Sequence, residues 1–132
     1  MILRRALVLV AAVVVVSFAG AARAAEIRYT VYFGQSTVQL TDAAREVVTF
    51  VAQDIAAKGA RRVIVVGHAD TADMAPQVLS RYRAEGVVAE LRRAGVPVYV
   101  AIDVSGVGSK LPAVLTVVDV REPLNRRVTI AY

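Results

Sequence analysis

The 132-residue sequence contains no cysteine and a single histidine, His68. Without a thiol there is no disulfide, no thiolate metal site and no lipid attached at an N-terminal Cys. The part after residue 24, about 108 residues, is long enough to fold on its core alone, so the lack of disulfides excludes no compartment. His68 has no nucleophile arrangement beside it and reads as a packed strand-end residue rather than a catalytic base. Asp70 and Asp73 lie close together but lack histidine ligands, which makes a poor metal site. GVGSK at 106–110 lacks the spacing of a phosphate loop and leads into no clear helix, so it reads as a turn. Repeats, linkers and low-complexity stretches are also missing after residue 24. No catalytic residue, metal or cofactor is expected.

Hydrophobic residues make up 57% of the chain, and the excess is concentrated at its start. Arg4-Arg5 is followed by an unbroken apolar run from Ala6 to Val16 and then by Ala22-Arg23-Ala24. A positive segment, a short apolar core and an A-x-A site together form a signal peptide over residues 1–24. The core is shorter than the roughly 20 apolar residues of a membrane span. Export is therefore expected, with an uncleaved N-terminal anchor as the alternative. Sixteen basic and 11 acidic residues give +5; without Arg4, Arg5 and Arg23 the balance is 13 against 11, or +2. A mildly basic domain without a basic cluster interleaved with aromatics is not built for nucleic acid.

Residues 25–132 form one domain. Ile27 to Phe33 alternates, with Ile27, Tyr29, Val31 and Phe33 on one face and Arg28, Thr30 and Tyr32 on the other, as in a strand. Gly34-Gln35-Ser36 breaks it. Thr41 can cap a first helix, Asp42 suits its first turn, and Ala44, Val47, Val48, Val51 and Ile55 form its apolar stripe. Lys58-Gly59 is a good stop. Val63 to Val66 is a continuous apolar run, expected of a central strand. Pro76 opens a second helix over 76–94, ended by Gly95 and Pro97. A third strand is expected within 96–104, starting after Pro97, and a last one over 128–132. The order β-α-β-α-β-loop-β predicts a two-layer α/β domain, its first strands parallel, with about four strands in a mixed sheet and two helices on one face.

The stretch from Gly67 to Arg83 concentrates the chemistry. Asp70 stands where a strand ends and a helix is about to begin, the place where open α/β sheets bind ligands. Taken at about 100° per residue from Leu79, the second helix places Val87 near 80°, Leu91 near 120° and Ala84 near 140°. Arg83 falls near 40° on the same scale, inside that apolar arc, while Arg81, Glu85, Arg92 and Arg93 fall outside it. A charge so placed needs a partner. Asp70 and Arg83 could hold a small zwitterion between them, or pair with each other as a structural salt bridge.

GHAD at 67–70, LSRYRA at 79–84, Gly106-Val107-Gly108 with Pro112, and NRRV at 125–128 resemble the OmpA-like peptidoglycan-binding domain. With Phe33-Gly34-Gln35-Ser36 after the first strand, the resemblance spans about residues 28 to 132. GHAD and PAVL at 112–115 are most similar to its peptidoglycan-associated lipoprotein branch. The resemblance implies non-catalytic binding of peptidoglycan in the periplasm, at the outer membrane or cell wall. The ligand it implies is the diaminopimelate of the stem peptide, with Asp70 accepting from its ammonium and Arg83 gripping its carboxylate. Leu79, Asn125 and Arg126 are implied as further contacts, although Asn125 can equally serve by bonding loop backbone. Other envelope proteins are implied as further partners. The chain departs from the family between the two charges: no Gly follows Asp70, Pro76 stands where an Asn is usual, and the loop is about two residues shorter. Gly34 replaces a usual acidic residue. These departures give the runner-up reading, a degenerate member acting as a protein-interaction module.

Overall fold

Thr41 opens the first helix as the sequence suggests: its hydroxyl accepts from the Ala44 N–H at 3.1 Å. The helix, α1, runs Asp42–Lys58 and ends on Gly59 at φ 63°, whose N–H returns to the Ala56 carbonyl at 3.1 Å. Such a left-handed cap closes the last turn with little steric cost only at glycine. The computed structural model describes residues 25–132, apart from the side chains of Ile27 and Arg28. The expected signal peptide, and the faces assigned to Ile27 and Arg28, lie outside what is described.

Strands β1 (Ile27–Tyr32), β2 (Arg62–Gly67), β3 (Ala101–Gly106) and β4 (Arg127–Ala131) form one mixed sheet, and the second helix, α2, spans Pro76–Arg93. The sheet order is β1-β4-β2-β3. β2 and β3 pair in parallel across the α2 crossover, with Val65 opposite Val104. β4 pairs antiparallel with both β1 and β2, so β1 and β2 point the same way without being neighbours. Val63 and Val65 of β2, Val128 and Ile130 of β4 and Val31 of β1 pack against Val48, Val51 and Ile55 of α1 and Val87 and Leu91 of α2 in a single core. Each such fully buried aliphatic side chain contributes about 1.5–3 kcal/mol. No described helix is long and apolar enough to cross a membrane.

Four expectations need correction. The third strand starts at Ala101 rather than just after Pro97, because residues 97–100 close a turn in which the Val100 N–H reaches the Pro97 carbonyl at 3.0 Å. Val47 is exposed, and Ala52 completes the buried stripe of α1 instead. The second helix stops one residue early, with Ala94 as its C-cap, and the last strand is displaced by one.

Two glycines bring α2 unusually close to the sheet. A Cβ added to Gly67 would lie 1.8 Å from the Ser80 carbonyl oxygen, and one added to Gly106 would lie 2.4 Å from the Arg81 nitrogen. The Ser80 hydroxyl fills the seam: it donates to Gln77 O at 2.9 Å and accepts from the Gly108 N–H at 2.9 Å. Overpacking here should be costly. Gly67→Ala is expected to lose about 3 kcal/mol, the upper part of the usual overpacking range. Gly59→Ala, with open space but a left-handed φ, should lose about 1 kcal/mol from backbone strain alone. Denaturant unfolding of the two variants checks this; equal losses would refute the close packing.

Candidate binding site

β2 delivers the site. At its carboxyl end the His68 N–H donates to the Arg127 carbonyl at 2.8 Å and the Ala69 N–H to Gly108 O at 2.9 Å, which carries Asp70 into the interior. A tight turn follows, with the Asp73 N–H reaching the Asp70 carbonyl at 3.3 Å. The turn also closes through side chains: Asp70 Oδ1 accepts from the Ala72 N–H at 3.1 Å, and Asp73 Oδ2 accepts from the Asp70 N–H at 2.8 Å. Ala75 then takes a left-handed conformation (φ 42°, ψ 60°) and, offering no side-chain cap, leads into Pro76.

Arg83 is fully buried on the inner face of α2, as its helix angle predicts. All five of its N–H groups are used. Nε donates to Thr37 O at 2.9 Å, Nη1 to His68 O at 3.0 Å and Nη2 to Gly34 O at 3.0 Å. The remaining pair grips the Asp73 carboxylate in parallel, Nη1 to Oδ2 at 2.8 Å and Nη2 to Oδ1 at 3.1 Å. The Phe33 ring lies 5.4 Å from the guanidinium carbon, adding a cation–π contact. Asp73 takes three further bonds: from Gln35 Nε2 at 3.0 Å, from the Ser36 N–H at 2.7 Å and the one from Asp70 N already described.

Asp70 is equally enclosed, and its ionic partner is Arg126. Arg126 Nη1 lies 3.1 Å from Asp70 Oδ2, which also accepts from the Glu122 N–H at 3.0 Å; Gln35 Nε2 donates to Oδ1 at 3.1 Å. Burial by itself would raise the Asp70 pKa, but the bonds from Gln35, Arg126 and backbone N–H groups outweigh it and hold the carboxyl below its ordinary value. Asp70 and Arg83 therefore do not pair with each other. Each has its own partner, and Gln35, bonded to both carboxylates, joins the two ion pairs.

The remaining candidates sit at the margins. Leu79 is half-buried on α2. Asn125 is buried with its amide turned onto Val114, accepting from the N–H at 2.9 Å and donating to the carbonyl at 2.8 Å. Arg126 also reaches Phe33 O and Gln35, so it braces the first loop against β4. Asp73, weighed only as a metal ligand, and Gln35, noted only in the motif after the first strand, are the site residues that the sequence did not reveal as such. For Asp73 a signal existed: two acids three positions apart at a strand end, with more than one arginine available. Gln35 gave none, since it meets Asp70 only through the fold. Among the described residues no group of three His, Cys, Asp or Glu side chains could hold a metal ion.

Chemically, the Arg83 arrangement is a carboxylate receptor. Three backbone carbonyls fix the plane of the guanidinium, and the edge left over presents two parallel donors, the geometry that recognises a carboxylate bidentately. Residues 32–126 match the OmpA family. The chain belongs to that family. An outer membrane protein of Gluconacetobacter diazotrophicus is 40% identical over 110 residues, a match covering 77% of this chain; the chain spans only 29% of that relative's length. Among solved structures, the peptidoglycan-associated lipoprotein of Burkholderia pseudomallei shares the OmpA-like fold with a TM-score of 0.69 at 22% identity, over 80% of this chain and 90% of that one. The OmpA-like domain of FopA1 from Francisella tularensis superposes with a TM-score of 0.68 at 19% identity, over 78% and 69%. The C-terminal domain of Helicobacter pylori MotB gives 0.66 at 19%, over 78% and 82%.

Beside the site, His68 donates from Nδ1 to the Leu111 carbonyl at 3.1 Å. Burial first, and then the Arg127 charge, push its pKa down to about 4 against the pull of that carbonyl. The unfolded chain takes up this proton near pH 6.5 while the folded one resists it to about 4, so stability present above 6.5 is lost as the pH falls through that window. The unfolding midpoint should decline between those limits, and His68→Asn should flatten the decline; Asp70, with a lowered pKa, acts only at more acid pH. Arg126→Met should cost about 3 kcal/mol by leaving Asp70 buried without its cation, read as a drop in thermal midpoint.

Proposed function

We propose that this OmpA family domain binds peptidoglycan without catalysis, taking the diaminopimelate of the stem peptide through Arg83 and Asp70. The observation that carries the reading is the bidentate grip of a fully buried Arg83 on a carboxylate, at the carboxyl end of β2. A free amino-acid end offers that carboxylate and also an ammonium, for which Asp70 is the neighbouring acceptor. Leu79, Arg126 and Asn125 border the same end of the sheet and support the reading as secondary contacts. Family membership and the fold shared with a peptidoglycan-associated lipoprotein agree with it. The domain would work in the periplasm, at the outer membrane or cell wall, exported by residues 1–24.

One observation favours a second reading, a protein-interaction module. The polar atoms of both charges are already engaged within the chain, while Leu115, Val117 and Val118 stand 90%, 75% and 79% exposed on the long segment between β3 and β4. Partners there would be other envelope proteins.

Sedimentation with cell-wall sacculi separates the two. The protein should pellet with sacculi, free diaminopimelate should release it, and Arg83→Lys, which keeps the charge but loses the fork, should weaken pelleting at least tenfold. Pelleting indifferent to both would overturn the site. No pelleting by the unaltered protein, with crosslinking to an envelope protein abolished by Leu115→Ser and Val118→Ser, would establish the second reading.

A further inference from the structure

We infer that Asp73 is a resident occupant of the carboxylate pocket, a tethered side chain that a ligand's carboxylate must displace, so that the site exchanges between a self-filled and a ligand-filled state. The identity of the ligand rests on the function proposed above; the exchange itself rests on geometry alone.

The geometry is that of a bound anion. Asp73 accepts five hydrogen bonds, from Arg83 twice, Gln35 Nε2, Ser36 N and Asp70 N, and its side chain is entirely shielded from solvent. All five donors belong to groups that a free carboxylate could equally use. Nothing covalent ties that carboxylate to the pocket except the turn from Thr71 to Pro76. That turn is the part of the site least committed to the core: Met74 is 75% exposed, and Ala75 is exposed in a left-handed conformation that strains a non-glycine residue. The helix behind it begins with no side-chain cap. Its other attachments are hydrogen bonds without apolar packing: the Ala72 and Asp73 N–H groups on Asp70, the Met74 N–H on Ser36 Oγ at 3.0 Å, and the Thr71 hydroxyl, which donates to Val117 O at 2.8 Å and accepts from the Val120 N–H at 3.0 Å.

Charge balance then dictates one-for-one exchange. Arg83 has no access to water, and an unpaired guanidinium there would be strongly unfavourable, so the pocket always holds an anion. Asp73 leaves when another carboxylate arrives. A tethered competitor has a high effective concentration, and it lowers the apparent affinity of every external ligand by the fraction of time the pocket stands open. Asp73 thus sets the threshold ligand concentration of the site.

The test uses thermal unfolding of the full chain carrying Asp73→Ala, with Asp73→Asn as a second variant that keeps the side-chain shape. Both should melt below the unaltered protein. Sodium acetate, against sodium chloride at equal ionic strength, should raise their midpoints saturably, or recover folded protein if a variant starts unfolded, while the unaltered protein stays indifferent. Free diaminopimelate should act at a concentration at least tenfold lower on Asp73→Ala than on the unaltered protein. Rescue by acetate with diaminopimelate no better than acetate supports the self-filled pocket and refutes the ligand assigned to it. Failure of both carboxylates to restore either variant overturns the exchange and makes Asp73 a structural ion-pair partner only.

Discussion

A guanidinium buried without water must find five acceptors, and that requirement organises this domain. Arg83 finds them on three segments: the loop after β1 supplies Gly34 O and Thr37 O, the end of β2 supplies His68 O, and the turn into α2 supplies the Asp73 carboxylate. Because donors on a planar fork cannot adapt independently, these segments are held at fixed distances from α2. The hydrophobic core stabilises the two layers, but it does not by itself place the loops at one end of the sheet. The buried charge does.

Arg83 can reach those acceptors because α2 lies nearly in contact with the sheet. Glycine at 67 and 106 removes the two side chains that would hold the helix away, and Ser80 bonds across the gap. One turn further along the same face, Arg83 comes level with the last carbonyls of β2. From the opposite direction β4 brings Arg126 to Asp70, and Gln35 bridges the two ion pairs. Charges from distant parts of the chain therefore converge at the strand ends, where α/β sheets leave room for ligands.

In the binding proposed above, the carboxylate-shaped edge of Arg83 would recognise an acidic group through a rigid fork. The chain's own contribution is the short turn with Asp73 inside it. A pocket lined by backbone donors and a preset cation is the same whether its occupant is tethered or free. In the exchange inferred above, what would differ is the competition, set by the length and sequence of residues 71–76 rather than by the donors around Arg83.

The elements whose signals are local were legible in the sequence: the Thr41 cap, the Gly59 stop, the apolar strand β2 and the odd position of Arg83 on α2 follow from periodicity and backbone preference. Pro97 was legible as a break, but not the turn behind it that delays β3 to Ala101. The burial of Arg83 was determined by sequence, since one charge inside an apolar helical arc has no other place to go. Its partner was not. Asp70 and Asp73 are both within reach along the chain, and the choice between them depended on Arg126 arriving with β4, which satisfies Asp70 and leaves Asp73 to the helix. Only the tertiary structure decides such a pairing, because ion pairs are assigned by distance in space and the competing cation lies 56 residues away.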